Sequence, residues 1–530
     1  MSSRYLLLLC VSIIFSFQFS NSNSARAQKP IIPDTASAGQ LRVDEVMKLI
    51  DGNYVDGPDM NKMSEAAVRA MLKALDPHSI YIPAKEVARA NEGLQGNFEG
   101  VGISFQIVSD TVVVQQVIEG GPSEKVGVMI GDKLLRIDGI TATGDSAKND
   151  FVFRHLRGKK GTTVVVDILR QGSVYTFHIV RDKIPIYSVD TYFMANDTVG
   201  YVRLIRFART SVQEFEKAVK ALKKQGMKAL VLDLRGNSGG YLDIAYGMAN
   251  EFLERGQLVV YQEGRRTPRQ DFRANGRGIW KQGRLVVLID EGSASASEIV
   301  SGAVQDWDRG MLVGRRSFGK GLVQRMFPLA DGGQVRLTTA RYYTPSGRCI
   351  QRSYDEGDEA YREDVNNRYK HGELVNADSI HFADSLKYTT FHGRTVYGGG
   401  GIMPDVFVAM DTMRLSDYFI SLRGKGLLNT VPLQWADQHR KNPEVKDFET
   451  FLENYDSFGL DSLLAAAGIE KGVVRDTAKE AAEPERIAHS DHYLHLLLKA
   501  QVAKDLFGTE YYYKVMKEVD DGYRRALELL

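Results

Sequence analysis

Two short stretches in the second half of the chain hold residues whose types and spacing fit hydrolytic chemistry without a histidine. Ser293-Ala294-Ser295-Ala296-Ser297-Glu298 follows the apolar run Val286 to Ile289, and Gly319-Lys320-Gly321 precedes the strand-like run Leu322-Val323-Gln324. A buried strand, a tight turn of small residues and a helix would place one serine at the carboxyl end of a sheet, where open α/β sheets carry their sites. Ser295 to Glu298 also has the form of a capping box, and a plain helix cap is the simpler reading of that serine taken alone. A helix N-terminus at this point would offer backbone N–H groups and a partial positive charge to a developing oxyanion. A lysine in water is protonated and useless as a base, but burial disfavours its charge, and a shift of about three pH units corresponds to roughly 4 kcal/mol. Phe318, Leu322 and Val323 are the candidates for that apolar setting, while Gly319 and Gly321 allow close approach. Gln324, four residues on, would share a strand face with Lys320 and orient its amine without adding charge.

A third stretch completes the set. The apolar run Ala229 to Leu234 leads into Arg235-Gly236-Asn237-Ser238-Gly239-Gly240. Consecutive glycines let the backbone expose its N–H groups, which makes Gly240 and Ala296 the candidates for an oxyanion hole. Asp233 and Arg235 read as partners in structural hydrogen bonds or an ion pair. Two decoys are set aside. Gly314 to Lys320 fits the opening of a P-loop, but Gly321 stands where a serine or threonine must bind Mg²⁺, and a strand pattern follows instead of a helix. His489, His492 and His495 recur at spacings of three, yet no carboxylate or cysteine pattern completes a metal site, so they read as helix-surface residues. No metal, nucleotide or other cofactor is expected. His78 reads as structural, Cys349 as a small buried hydrophobe, and Tyr342 and Tyr343 as packing in a sheet or lining a channel.

Around these stretches the 530-residue chain divides by pattern. With 43% hydrophobic and 25% charged residues it suits several folded domains, and a formal net charge of +1 gives no bulk field toward nucleic acid or acidic membranes. Arg4, the apolar stretch Tyr5 to Phe19 and the small-x-small triplet Ala25-Arg26-Ala27 read as a secretory signal over 1–27, the alternative being an uncleaved anchor. Too little apolar sequence precedes Cys10 for a lipoprotein. The expected localisation is therefore exported, in the periplasm or cell envelope, and membrane-associated if the anchor is retained. Residues 28–94 form an N-terminal helical segment, in which a helical pattern over about 38–75 is ended by Asp76-Pro77. Residues 95–182 carry short strands separated by glycine turns, with one helix over 150–156. Apolar strands alternate with helices over 183–411, implying a sheet covered on at least one face. Residues 412–530 are helical and charged.

Two resemblances emerge from these motifs. Glu99-Gly100-Val101-Gly102-Ile103 and Gly131-Asp132-Lys133-Leu134-Leu135-Arg136-Ile137-Asp138-Gly139 resemble a PDZ domain. That resemblance implies peptide capture by strand addition, with Gly100, Val101, Gly102 and Ile103 as the loop that nests a C-terminal carboxylate. The stretches Leu232 to Gly240, Ser293 to Ile299, Gln305-Asp306, Ser317 to Gln324 and Leu337 to Gly347 resemble the C-terminal processing proteases, a Ser-Lys peptidase family with an embedded PDZ domain. The resemblance covers roughly 38 to 410. It implies Ser295 as nucleophile, Lys320 as general base, Gln324 as the group that orients the lysine, Gly240 and Ala296 as the oxyanion hole, and Asp306 in a supporting role. Ser238 departs from the proline or glycine common there.

The expected fold is multidomain α/β plus β: a mixed-sheet Ser-Lys peptidase core with an inserted PDZ domain and a helical C-terminal region. The expected function is an exported serine endopeptidase that recognises protein C-termini and cleaves through an acyl-enzyme. Its partners would be protein substrates with unstructured C-termini, with a homo-oligomer or an activating adaptor left open. The rivals are a non-enzymatic PDZ adaptor, against which the complete set of Ser295, Lys320 and Gln324 argues, and a Ser-Lys amidase acting on cell-wall peptides, which a PDZ domain disfavours.

Overall fold

In the computed structural model, which describes residues 35–108, 110–118 and 120–530, the apolar runs of the middle of the chain become the parallel strands of one sheet. The signal segment read over 1–27 lies outside the described residues. The chain divides into two compact units, one up to Ala67 and one from Val68 to Leu530. In the first, helix Ala38–Asn53 starts at a capping box made by Ser37 and Gln40. A second helix, Met60–Lys73, runs across the division in the sequence.

The larger unit is built on a six-stranded sheet in the order Val189–Met194, Val199–Leu204, Ala229–Asp233, Arg284–Ile289, Met311–Gly314 and Val406–Phe407. The first pair is antiparallel and every later pair parallel. Strand Ala229–Asp233 is buried at every residue because both faces of the sheet are covered. On one face Leu230, Leu232, Val287 and Ile289 pack with residues of helices Ser211–Lys224, Leu242–Asn250 and Ala296–Asp306. On the other, Tyr201, Val231, Val286, Leu288 and Val313 pack with Tyr523 and Ala526 of the final helix, Asp521–Glu528. The C-terminal region, whose role the sequence leaves open, thus covers one face of the six-stranded sheet.

A second, antiparallel sheet runs Ile80–Ile82, Gln334–Tyr343, Leu258–Gly264, Thr267–Arg273, with Leu322–Pro328 also paired to Gln334–Tyr343. Most of it is not evident from sequence pattern. Its strand Thr267–Arg273 is largely exposed and charged, so it lacks the apolar signature of a buried strand. Within 28–94, beyond the helical pattern, the short strand Ile80–Ile82 pairs with Gln334 to Arg336 far along the chain.

Residues 103–180 form a separate sheet in the order Ile103–Val108, Thr111–Val117, Lys133–Ile137, Thr163–Arg170, Ser173–Val180, around the core of Val112, Leu134, Ile137, Val164 and Ile168. Strands Asn97–Gly100 and Asp182–Pro185 pair with each other at its entry and exit. The extended backbone is interrupted between Gly100 and Ile103, where Gly102 takes φ 81°.

Asp233 anchors the six-stranded sheet. Its buried carboxylate accepts from Tyr201 Oη (2.6 Å), Arg203 Nη1 (2.8 Å) and Arg235 Nη2 (2.6 Å). Arg235 also grips Asp520 at the start of the final helix through two 2.7 Å bonds. Burial opposes the charge of Asp233, but Arg235 and Arg203 overcome it and hold the carboxyl below its ordinary range. A depressed carboxyl pKa contributes stability above the unfolded carboxylate range, and that contribution is lost as the pH falls toward the folded value. Asp520→Ala should lower unfolding stability by about 1.5–3 kcal/mol, the range for hydrogen bonds to charged groups, read as a lower melting temperature at neutral pH.

Candidate active site

Ser295 stands between strand Arg284–Ile289 and helix Ala296–Asp306 with φ 55° and ψ −108°, a conformation that L residues rarely adopt. Such strain persists only where surrounding contacts enforce it. The carboxylate of Glu298 takes the Ser295 N–H at 2.7 Å. Asn237 holds the turn from the other side, its carbonyl accepting from Ala294 N–H (3.0 Å) and Ser297 Oγ (2.7 Å). The Asn237 side chain meanwhile caps Gly239 N–H at 2.9 Å. Gly239 lies so close to this turn that a Cβ on it would come within 2.8 Å of the Ala294 carbonyl. The glycine turn and the serine turn are therefore one packed unit. Among the described residues, neither Gly240 N–H nor Ala296 N–H donates to a protein group.

Glu298 also joins this unit to the lysine. Fully buried, it accepts from Ser317 Oγ (2.5 Å), Gly319 N–H (2.7 Å) and Lys320 N–H (2.9 Å) as well as from Ser295. Tyr342 adds a second tie, its hydroxyl shared between the carbonyls of Lys320 (2.6 Å) and Ser295 (3.0 Å). Ser295, Ala296, Gly240, Lys320 and Gln324 all line one cavity of about 270 Å³, with Ile299, Leu322 and Val323 among its apolar walls. No hydrogen bond joins Ser295 Oγ to Lys320 Nζ. The lysine amine instead donates to Gln324 Oε1 at 3.2 Å. Lys320 precedes the strand, which begins at Leu322, because its N–H is taken by Glu298 rather than by a ladder partner. The shared strand face expected for Lys320 and Gln324 is thus replaced by a loop that curls back. Phe318, expected to desolvate the lysine, stacks instead on the Arg352 guanidinium at 3.9 Å.

Gln324 is oriented by a turn far away in sequence. Its Nε2 donates to the carbonyl of His78, which leaves Oε1 for the lysine. The buried Asp76 fixes that turn, accepting from His78 N–H (2.8 Å), Ser79 N–H (2.9 Å), Ser79 Oγ (2.6 Å) and Thr338 Oγ1 (3.1 Å). Burial first, then the charge of Arg336, push Lys320 below the ordinary lysine range, against the pull of Asp76 and Glu298. Burial and then Lys320 bring His78 down to about 4, and its ring Nε2 lies 2.8 Å from Tyr361 Oη. Asp306 sits outside the cavity. It forms a buried ion pair with Arg348 at 2.7 Å and takes Ser346 N–H at 2.9 Å, fixing the loop whose Gln351 holds Gly321 N–H at 2.8 Å.

In the β-rich domain, Gly100 to Ile103 link strand Asn97–Gly100 to the edge strand Ile103–Val108, which pairs on one side only, with Thr111–Val117. Val101 is locked by its carbonyl, which accepts Ser123 N–H (3.0 Å) and Oγ (2.7 Å). Among the described residues the N–H groups of Val101 and Gly102 have no protein acceptor. Phe105 on the edge strand and Phe153 on helix Asn149–Leu156 face each other at 5.2 Å between ring centres.

Comparison with known proteins decides the family. The chain is 37% identical over 316 residues to the carboxy-terminal-processing protease of Bartonella bacilliformis, spanning 58% of this chain and 72% of that one. The chain belongs to the carboxy-terminal-processing proteases. The family model "Peptidase family S41" matches residues 198–359, "PDZ domain" matches 100–180, and a family of unknown function matches 418–508. A probable CtpA-like serine protease of Staphylococcus aureus is 32% identical over 346 residues, 65% of this chain and 68% of that one. Among solved structures, a photosystem II D1 C-terminal processing protease is 28% identical, covers 71% of this chain and 94% of its own, and gives a TM-score of 0.37.

This carboxy-terminal-processing protease carries site residues that sequence pattern hides or undervalues. Glu298 is legible only as a helix cap, Asp76 only as a helix stop, and Asn237 and Arg336 carry no signal, because their partners come from distant segments. Glu298→Gln replaces two acceptor directions with an N–H donor facing other donors. It should cut kcat by about 100-fold or more through misplacement of Ser295 and Lys320, with the far-UV spectrum retained. Turnover within about threefold of the parent would refute the tie.

Proposed function

We propose that this protease cleaves by a Ser295–Lys320 dyad through an acyl-enzyme, on protein substrates whose unstructured C-termini are held by the PDZ domain. The observation that carries the reading is the meeting of Ser295, Lys320 and two unengaged backbone N–H groups, from Gly240 and Ala296, in one cavity. Neutral Lys320 takes the Ser295 hydroxyl proton as Oγ attacks the scissile carbonyl carbon. The oxyanion is received by the N–H groups of Gly240 and Ala296, assisted by the dipole of the helix that starts at Ala296. Collapse breaks the C–N bond, and the leaving amine collects the proton from the Lys320 ammonium. Water then repeats the cycle on the ester. Gln324 Oε1, by accepting one amine N–H, directs the nitrogen lone pair away from itself. Asp306 supports the site at one remove, through Arg348.

The unpaired edge of strand Ile103–Val108 supports capture of an extended C-terminus by strand addition. The N–H groups of Val101 and Gly102 are available to its carboxylate, and the apolar surface of Phe105 and Phe153 to its last side chain. Gly100 and Ile103 end the two strands that fix this loop. The apolar segment before Ala25-Arg26-Ala27 supports export. PDZ docking is also proposed to gate the site, and removing residues 95–182 should then change cleavage of a tailed substrate.

Cleavage of an unstructured protein with an apolar tail, followed by mass spectrometry, tests the dyad. Ser295→Ala and Lys320→Ala should each abolish it, whereas survival in both would move the chemistry elsewhere. Tail binding without any cleavage by the parent would favour an adaptor. The pH profile separates the two nearby bases. His78 at about 4 is already neutral above pH 5, so an acid limb of kcat/KM lying above that pH, and below the ordinary lysine range, belongs to Lys320. His78→Asn should leave that limb where it is.

A further inference from the structure

Arg336 is a cation without a counter-charge inside the proposed cleavage cavity. On strand Gln334–Tyr343 it pairs with Met326 on one side and Ile80 on the other, two residues from Thr338, which pairs with Gln324. Alternation along the strand therefore puts Arg336 on the face that carries Gln324. Its Nη2 donates to the Ala90 carbonyl and to Asn91 Oδ1, both at 3.0 Å and both neutral. Its Nε is buried with no partner, as in several other arginines, and the two Nη2 contacts are its hydrogen bonds among the described residues. Several other buried arginines do have a carboxylate partner: Arg203 and Arg235 pair with Asp233, Arg348 with Asp306 and Arg352 with Asp364.

A guanidinium presents a rigid fork of donors that matches a carboxylate. A half-buried guanidinium with unused donors and no carboxylate partner is balanced by water alone, and a carboxylate that displaced that water would make a charge-assisted contact. The anion able to enter this cavity is part of the peptide being cut. We propose that Arg336 is a specificity residue that binds a peptide carboxylate near the scissile bond, either an acidic side chain or a nearby chain end. The inference rests on the reading of this cavity as the cleavage site. It carries a second consequence, because the charge of Arg336 lowers the pKa of Lys320. A carboxylate docked on Arg336 offsets that field and raises the lysine's pKa. Acidic substrates should therefore show an acid limb at higher pH than their amide analogues.

The test uses the full chain and peptides that share one PDZ-binding tail and differ by Glu or Gln at each position flanking the scissile bond. A second set ends close to the cleavage site in a free carboxylate or a carboxamide, which separates side-chain from chain-end recognition. Affinity is read by fluorescence anisotropy on Ser295→Ala, and kcat/KM against pH on the active enzyme. One carboxylate position should bind about tenfold better than its amide, as charge-assisted bidentate bonds do. Arg336→Gln should abolish that preference and move the acid limb upward for neutral substrates. Arg336→Lys, which keeps charge but not the fork, should weaken the preference and leave the limb near its parent position. It also keeps the test open should the glutamine variant fail to fold. Equal binding of every acid–amide pair, or a preference that persists in both variants, overturns the proposal. Cleavage that survives in Ser295→Ala would instead fail the dyad reading, leaving the binding result to be judged by itself.

Discussion

The arrangement of the site depends on one buried carboxylate. Glu298 receives four donors from two loops, Ser295 N–H on one side and Ser317 Oγ, Gly319 N–H and Lys320 N–H on the other. All four partners donate, so the group acts as an acceptor in its ionised form. Burial raises its pKa above the ordinary glutamate value, and the bonds from Ser317, Lys320, Gly319 and Ser295 only partly offset this. A raised carboxyl pKa means that the charged form costs stability above the unfolded carboxylate range. What the fold gains is position: the strained Ser295 turn and the Lys320 loop share a single anchor.

Electrostatics around Lys320 follow from where the two sheets meet. The parallel sheet delivers Ser295 and Gly240 at its carboxyl ends, and the antiparallel sheet delivers Gln324 and Arg336. Desolvation and Arg336 push the amine toward its neutral form, while Asp76 and Glu298 pull toward the ammonium. Asp76 is placed to do more through geometry than through charge, because it fixes the turn whose His78 carbonyl turns Gln324 toward the lysine. Buried charge ties distant segments again beneath the glycine turn, where Asp233 and Arg235 join a strand end to the final helix. The far C-terminus and the oxyanion candidates are thereby linked through one ion-pair cluster.

Much of this is legible in the sequence. Buried strands show as short apolar runs, glycine turns as glycines, and a serine on a strand-to-helix turn as S-A-S-A-S-E. Ser295, Lys320, Gln324, Gly240 and Ala296 each stand out by local pattern, and all five line one cavity. The elements that pattern does not reveal are those with mixed or exposed faces, such as Thr267–Arg273, whose side chains answer to a neighbouring strand rather than to a period of their own.

Local signals by themselves determined the residue types, the turns and the alternation of strands and helices, because each depends on neighbours a few positions away. Tertiary structure decided which distant segments meet. Asp76 reaches Thr338, Glu298 reaches Lys320, Arg235 reaches Asp520, and Arg336 is left without a carboxylate. Such pairings carry no spacing rule, since a hydrogen bond or an uncompensated charge is set by where two chains of packing converge, and that is a property of the whole fold.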